Sequence, residues 1–569
     1  MKKVLSYFSA YKKECVLAPL LKLAEALMEL FIPILVADII DRGINGANKN
    51  VIFVDIAIMV ALGILGLAFS LAGQFFSAKA AVGYSSDLRG ALYKKLVKLP
   101  LSKTDEVGNA KMITTMTSDV GKVQSGVNLA LRLLLRSPFV VVGAFIAALI
   151  INAKIALIFG AAILVLALIV VIVMMVTMPK FSKAQKMLDG ISLTARENLT
   201  GARVIRAFGV EQKEIESYNK RINKLEKFQN ATGRISAILN PLTFCVVNLA
   251  IVALLYFGGI KVSVGILTQG AIIALYDYLS QILVELIKFA NLVVSISKAI
   301  ASGKRISQTL DIEVEEKQVE KDQESYPFIE FKNVCASYGG GDVLSNINLS
   351  IEKGQTIGII GGTGSGKTTL VNLIAGLYSA REGAIYINGK DVNGLTNDER
   401  NNLVSIALQK PSLFKGTIKS NLLMGNRNAS QEDMLLAIRT AQAEDVIRIK
   451  DKGLDAEVEQ GGRNFSGGQR QRISLARAIV AKPQILILDD SSSALDYVTD
   501  LNLRRALKNQ DFNQTLLIVS QRTASVKDAD KIIVLDDGEI VGVGTHEELY
   551  SNCEAYKEIE DSQSKGGGV

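Results

Sequence analysis

From Ile155 to Met178 the chain runs without a single charged residue. A helix needs roughly 20 apolar residues to cross a bilayer, so a membrane has to be part of this fold. Ser236 to Ile260 is similarly free of charge. Counting the longer apolar runs gives six expected spans, at 16–40, 52–76, 129–151, 155–178, 236–260 and 267–292. The first is the least apolar, since Lys22, Glu25, Glu29 and Asp38 lie within it. All six fall before about residue 300, whereas the remainder has the mixture of a soluble α/β domain. With 569 residues, 49% of them hydrophobic, the chain divides into a membrane part followed by a cytosolic part.

The formal charge of +8 raises the question of nucleic acid, but its distribution argues against that partner. Basic residues crowd the segments between apolar runs, as expected for cytoplasmic loops. The connections after spans one, three and five are short. Those after spans two and four are about 50 residues each, rich in Lys and Arg, and keep helical periodicity. The helices should therefore continue about 25–35 Å past the bilayer at 1.5 Å per residue, with a short element at each tip able to touch a cytosolic domain. Lys12, Lys13 and Glu14 interrupt any signal-peptide core, so the N-terminus is expected in the cytoplasm. Cys15, Cys245, Cys335 and Cys553 have neither metal nor disulfide spacing and read as small apolar residues of a reducing compartment.

In the second part, Gly361-Gly362-Thr363-Gly364-Ser365-Gly366-Lys367-Thr368 matches G-x-x-x-x-G-K-[ST]. It follows the apolar strand 356–360 and opens a helical run from Thr369, the context the motif requires. Backbone N–H groups curl around phosphates there, Lys367 reaches the β/γ-phosphates of ATP, and Thr368 holds Mg²⁺. Ile485 to Asp489 is a second buried apolar strand, ending in a carboxylate fit for Mg²⁺.

These motifs have company that resembles the ABC exporters of the multidrug and lipid type. Phe465-Ser466-Gly467-Gly468-Gln469 is similar to the ABC signature, with Phe in place of the usual Leu. The resemblance implies that Ser466, Gly467, Gly468 and Gln469 face ATP held by another subunit. It also implies that Gln409 is the Q-loop residue touching Mg²⁺ and the coupling helices, that Tyr338 stacks on adenine, and that Ser493-Ala494-Leu495-Asp496 is the D-loop, with Thr369 completing the ATP-binding set. In the membrane part, Glu197 to Phe208 looks like the second intracellular loop. Ser118-Asp119-Val120, with Val123-Gln124, looks like the end of the first, and Ala301 to Ile306 like the end of span six.

Two catalytic positions depart from the family. Asp490 stands where the general base is Glu, and Gln521 stands where a His senses the γ-phosphate. One methylene fewer draws the carboxylate back, although a general base must lie within roughly 2.6–3.2 Å of its target. Gln521 can donate a hydrogen bond but carries no charge. The sole histidine, His546, lies in a segment resembling a structural stretch of the family's C-terminus and is no substitute. The expectation is a chain that binds ATP at a degenerate site and lends its signature to a competent partner. A slow homodimer and a nucleotide-gated regulatory protein are the alternatives, and import is disfavoured because importer permeases are usually separate chains.

The expected architecture is thus an α-helical six-span transmembrane domain (1–306), a linker (307–327), a cytosolic α/β P-loop ABC nucleotide-binding domain (328–563) and a tail (564–569). The implied activity is ATPase-coupled export of hydrophobic compounds, drugs or lipids, across the plasma membrane as half of a heterodimer. Asp277, Gln281 and Glu285 recur every four residues in span six. They form a polar stripe that either lines the transport pathway or pairs with Arg132 or Arg136 of span three.

Overall fold

The computed structural model describes residues 2–312, 327–338, 341–491, 495–508 and 514–565. Most of the expected linker, Ser493 and Ala494 of the D-loop, and the end of the tail lie outside them. The chain forms two compact units, Met1–Val97 with Asn109–Ile312, and Lys98–Gly108 with Glu313–Val569.

The first unit is all helix. Its principal elements are α1 (Lys12–Asp38), α2 (Lys49–Val97), α3 (Val120–Leu133), α4 (Arg136–Ile151), α5 (Ala153–Thr200), α6 (Glu211–Ala237), α7 (Leu239–Ser263) and α8 (Gln269–Asp311). With 49 and 48 residues, α2 and α5 are each about 70 Å long, more than twice the roughly 30 Å of hydrocarbon in a bilayer. Among the described residues, five helical stretches are long and apolar enough to cross a membrane: Lys49–Val97, Asn109–Ile151, Ala153–Thr200, Glu211–Ser263 and Gln269–Asp311. The remaining expected span, the first (16–40), coincides with α1, where Lys22, Glu25 and Glu29 interrupt the apolar run. Lys22 donates to Glu25 at 2.6 Å and to Ser70 of α2 at 3.0 Å, so its charge is buried with partners.

The third expected span is broken at Leu134 and Leu135, between α3 and α4. Pro138 is the cause, because it has no N–H for the carbonyl of Leu134 and its ring crowds that carbonyl. At the other end of α4, Asn152 turns the chain into α5, its side chain accepting from the Ile155 N–H and from Lys261. Small residues let the helices approach closely. Ala144, Ala148, Ala156, Ala250 and Ala274 are buried around Phe159, Leu254, Tyr278 and Ile282. The Tyr278 hydroxyl donates to the carbonyl of Leu30 at 2.7 Å.

Glu285, expected in the polar stripe of span six, is buried in α8. It accepts from Arg136 (2.6 Å), Ser137 (2.6 Å) and Lys288 (2.8 Å), while Arg136 also donates to Glu29 at 2.6 Å. This is the pairing with Arg136 that the sequence left open. Further along α8, buried Asp119 accepts from Ser302 and from both Nε and Nη2 of Arg305. The segments ending the first intracellular loop and span six therefore meet.

The described residues of the second unit form two principal sheets and a two-stranded one, in which Gly416–Thr417 pairs with Glu457–Val458. β1 (Ile329–Ser337), β2 (Asp342–Ile351), β4 (Glu382–Ile387) and β5 (Lys390–Asp391) form an antiparallel sheet in the order β2-β1-β4-β5. β3 (Thr356–Gly361), β6 (Val404–Ala407), β7 (Ile485–Asp489), β8 (Thr515–Val519), β9 (Lys531–Asp536) and β10 (Glu539–Gly544) form the central sheet, in the order β10-β9-β3-β8-β7-β6. All its pairings are parallel except β9 with β10. β7 and β8 are buried along their whole length, as central strands covered on both faces must be. The short helix Leu101–Val107 belongs to this unit, where Tyr378 donates to Asp105 at 2.7 Å.

Removing one member of the Arg136–Glu285 pair leaves a buried charge short of partners. Glu285→Ala is expected to cost about 3–5 kcal/mol, and replacing both residues by Met and Leu to cost less. Thermal unfolding of the purified variants in detergent checks this, and a double variant less stable than the single one contradicts it.

Candidate functional site

The carboxyl ends of β3, β7 and β8 meet at one edge of the central sheet, the edge where open α/β sheets bind ligands. Val519 of β8 lies opposite Asp489 of β7 and Ile359 of β3, which brings the three loops beyond them together. They surround a cavity of about 240 Å³ lined by Val343, Thr363, Gly364, Gly366, Lys367, Thr368, Thr369, Gln409, Asp489, Asp490, Val519 and Gln521. Most residues expected to hold nucleotide or metal therefore line one cavity.

The phosphate loop turns into α9 (Lys367–Ile374) through Gly366, whose φ of +95° is open to glycine. A Cβ there would also meet Leu344 at 2.5 Å. Lys367 is buried, its Nζ donating to the carbonyls of Gly361 (2.9 Å) and Gly362 (2.5 Å). Burial lowers the pKa of this ammonium, against the opposing pull of Asp490 and Asp489. Thr368 Oγ1 donates to Asp489 Oδ1 at 3.1 Å, and Gln409 Nε2 donates to Asp490 Oδ2 at 3.0 Å. The Thr368 hydroxyl and Asp489 carboxylate stand together, with Gln409 lining the same cavity, and oxygen donors of this kind suit a hard cation that keeps several waters, so Thr368, Asp489 and Gln409 fit Mg²⁺.

Asp490 occupies a left-handed backbone conformation at φ +44°, with its N–H given to the carbonyl of Val519 at 3.0 Å. Gln521 is exposed and lines the same cavity. Tyr338 is exposed and is not among the cavity residues, but it reaches one of them. Its hydroxyl donates to Thr369 at 3.3 Å, and its ring meets Tyr378 edge-on, 4.9 Å between centroids at 86°. Tyr378, in turn, is the residue bonded to Asp105, and that bond pushes its phenol up to about 12. Sequence reading missed Tyr378 and Asp105 because no local pattern marks them.

The signature residues are not brought to this cavity. Ser466 caps the helix α10 (Gly467–Ile479) in a reciprocal box with Gln469. Ser466 Oγ accepts from the Gln469 N–H at 3.3 Å, and Gln469 Oε1 accepts from the Ser466 N–H at 2.9 Å. Phe465 is buried, the packing role expected of the exchanged position. Asp496 accepts from the N–H (3.1 Å) and hydroxyl (2.6 Å) of Thr499. His546 hydrogen-bonds Tyr556 at 2.7 Å and is not among the cavity residues.

Residues 15–286 match the ABC transporter transmembrane region, and residues 344–493 match the ABC transporter domain. An uncharacterized ABC transporter ATP-binding protein of Bacillus subtilis, YfiB, is 33% identical over 566 residues, covering 99% of this chain and 98% of that protein. The chain belongs to the ABC transporter family. An ATP-dependent lipid A-core flippase of Desulfotalea psychrophila is 30% identical, with 90% of this chain and 91% of that one covered. A bacterial Atm1-family ABC exporter with ATP bound shares the fold, at a TM-score of 0.83 with 20% identity and 98% coverage of both chains. This ABC transporter therefore combines a helical transmembrane region with an ATP-binding domain, arranged in the exporter fold.

Burial raises the Asp489 carboxyl, the neighbouring Asp490 adds to that, and the Thr368 hydrogen bond and Lys367 oppose it. A raised carboxyl contributes stability that is present at low pH and lost as pH rises from the ordinary value of about 4 through the raised one. Without nucleotide, Asp489→Asn is expected to be more stable than the parent at pH 7 and to flatten this dependence. Thermal unfolding of both proteins across pH tests it, and an unchanged profile would speak against a buried, charged Asp489.

Proposed function

We propose that this chain is one half of a heterodimeric ABC exporter, holding ATP at a site that hydrolyses it poorly and completing the partner's competent site. The observation that carries this is Asp490 and Gln521 lining one cavity with Lys367, Thr368, Gln409 and Asp489. The binding apparatus is complete, while both positions that would activate water and sense the γ-phosphate are replaced.

Each residue then has a task. Tyr338 stacks on adenine, the amides of 361–366 and Lys367 hold the phosphates, and Thr368 with Asp489 and Gln409 holds Mg²⁺. The ion, when bound, offsets charge on the β- and γ-phosphates. Asp490 stands a methylene short of where a base must reach, a displacement worth about 10²–10⁴-fold in rate. Ser466, Gly467, Gly468 and Gln469 lie at the N-terminus of α10, an anion-binding end suited to the partner's ATP. Lys12–Asp38 supplies the sixth span, and the N-terminus and cassette lie on the cytoplasmic side of the plasma membrane. The flippase relative favours lipid-like or other hydrophobic cargo.

Within α8, Glu285 is taken up by Arg136, Ser137 and Lys288. Asp277 is half-buried with no hydrogen-bond partner among the described residues, and the buried Gln281 Oε1 likewise lacks one. Of the stripe, Asp277 is the group left to face cargo, with Gln281 beside it one turn on. Asp277→Asn is expected to change which hydrophobic compounds stimulate the pair's ATPase without loss of assembly. Unchanged preference together with impaired assembly would assign Asp277 a structural role.

The purified chain alone is expected to bind ATP and hydrolyse it slowly, and co-purification with its partner to restore turnover. In the pair, Ser466→Ala should reduce turnover at least tenfold more than Asp490→Ala, a conservative reading of the 10²–10⁴-fold range for catalytic groups. Robust hydrolysis by the chain alone, abolished by Lys367→Ala, would replace this reading with that of a homodimer.

A further inference from the structure

The loop carrying Gln521 has an unusual anchor. It leads from β8 into the short helix α11 (Thr523–Val526), whose N-cap residue is Arg522. A helix start leaves backbone N–H groups that need acceptors, and an arginine side chain accepts nothing. Arg522 accordingly makes no side-chain cap. The acceptor comes instead from the last helix of the described chain, α12 (Glu554–Lys565). Gln563 Oε1 accepts from the Thr523 N–H at 3.0 Å and from its hydroxyl at 3.2 Å, and the same amide's Nε2 donates to the carbonyl of Gln521 at 2.8 Å.

One side chain thus grips the backbone on both sides of Arg522 and uses both ends of its amide to do so. The helix bearing it is itself fixed. Tyr556 is fully buried and bonded to His546, Ile559 packs on the main core, and Tyr550 donates to Asp561 at 3.1 Å. Tyr556, Ile559 and Gln563 are spaced three and four apart, so they share one helix face. The Gln521 carbonyl is held by Gln563 while the residue lines the nucleotide cavity.

We infer that Gln563 is a positioning residue, which sets the reach of Gln521 toward the terminal phosphate of ATP by fixing the loop from behind. This rests on the proposed reading of Gln521 as the residue facing the γ-phosphate. The C-terminal helix then contributes to telling ATP from ADP, although no atom of it touches nucleotide.

The test measures affinities for ATP and ADP with Mg²⁺ on the full-length chain in nanodiscs, which needs no hydrolysis. Gln563 is exposed, so replacing it opens no cavity in the core. Gln563→Ala is expected to leave ADP affinity unchanged within about twofold and to lower the ATP-over-ADP preference about fivefold, the scale of one net hydrogen bond. Gln563→Glu keeps the acceptor for Thr523 but loses the donor to Gln521, so it should lose the preference while unfolding at the parent's temperature. In a Gln521→Ala background, Gln563→Ala should bring no further loss. A Gln563→Glu variant that behaves like the parent, an equal loss for both nucleotides, or a loss that persists without Gln521 would each overturn the inference. Should Gln521→Ala itself leave the preference intact, the γ-phosphate reading falls and this inference with it. Should Gln521→Ala lower the preference while Gln563→Ala does not, only the positioning role falls.

Discussion

The register of three parallel strands governs everything the cassette does. With Val519 opposite both Asp489 and Ile359, the loops that begin at Gly361, Asp490 and Ser520 leave the sheet at the same level. A slip of one residue would reverse which side chains face each layer. Because β7 and β8 are buried on both faces, such a slip would also disturb two hydrophobic clusters at once. Tight packing of Ile487, Leu517 and Ile533 on one side, and Leu486, Leu516 and Ile518 on the other, is therefore what holds Thr368 within 3.1 Å of Asp489.

The helical unit is ordered by a different constraint. Charges removed from water need partners, and α1, α4 and α8 meet where Arg136 finds Glu285 and Glu29. The small residues that let these helices approach also bring the charged ones within bonding distance. At the inner reach of α8, Asp119 and Arg305 repeat the arrangement. Both pairs join residues more than a hundred positions apart, so they tie together helices distant in the sequence.

Much of the fold and of the site was legible in the sequence, for reasons that separate cleanly. Apolar runs and the phosphate-loop spacing are local, and local patterns announce themselves. That Lys367, Thr368, Asp489, Asp490, Gln409 and Gln521 line one cavity follows from motif order, because each motif ends a strand of the same sheet. The break at Leu134 was legible in principle, since Pro138 forbids a continuous helix, but an apolar window passes over it. Glu285 was placed in a polar stripe by its spacing of four, and spacing alone cannot say which partner a charge finds. Tyr378, Asp105 and Gln563 carried no signal at all. Their roles depend on segments that meet only after folding.

The identity of residue 490 can be weighed in the same terms. Its backbone is left-handed, a conformation that costs most residues about 1–2 kcal/mol and that Asp, with a short side chain able to bond locally, tolerates better than Glu. In that conformation its N–H is held at the carbonyl of Val519. At this position Asp relaxes the backbone and finds a partner in Gln409, whereas Glu would extend a carboxylate toward the phosphates at some expense in strain. On the proposed reading, a site that retains ATP has no use for that reach. The shorter acid then follows from what the backbone favours once catalysis no longer opposes it. Gln521 fits the same logic, since an uncharged amide can still hold a phosphate oxygen without stabilising the charge that develops when the bond to it breaks.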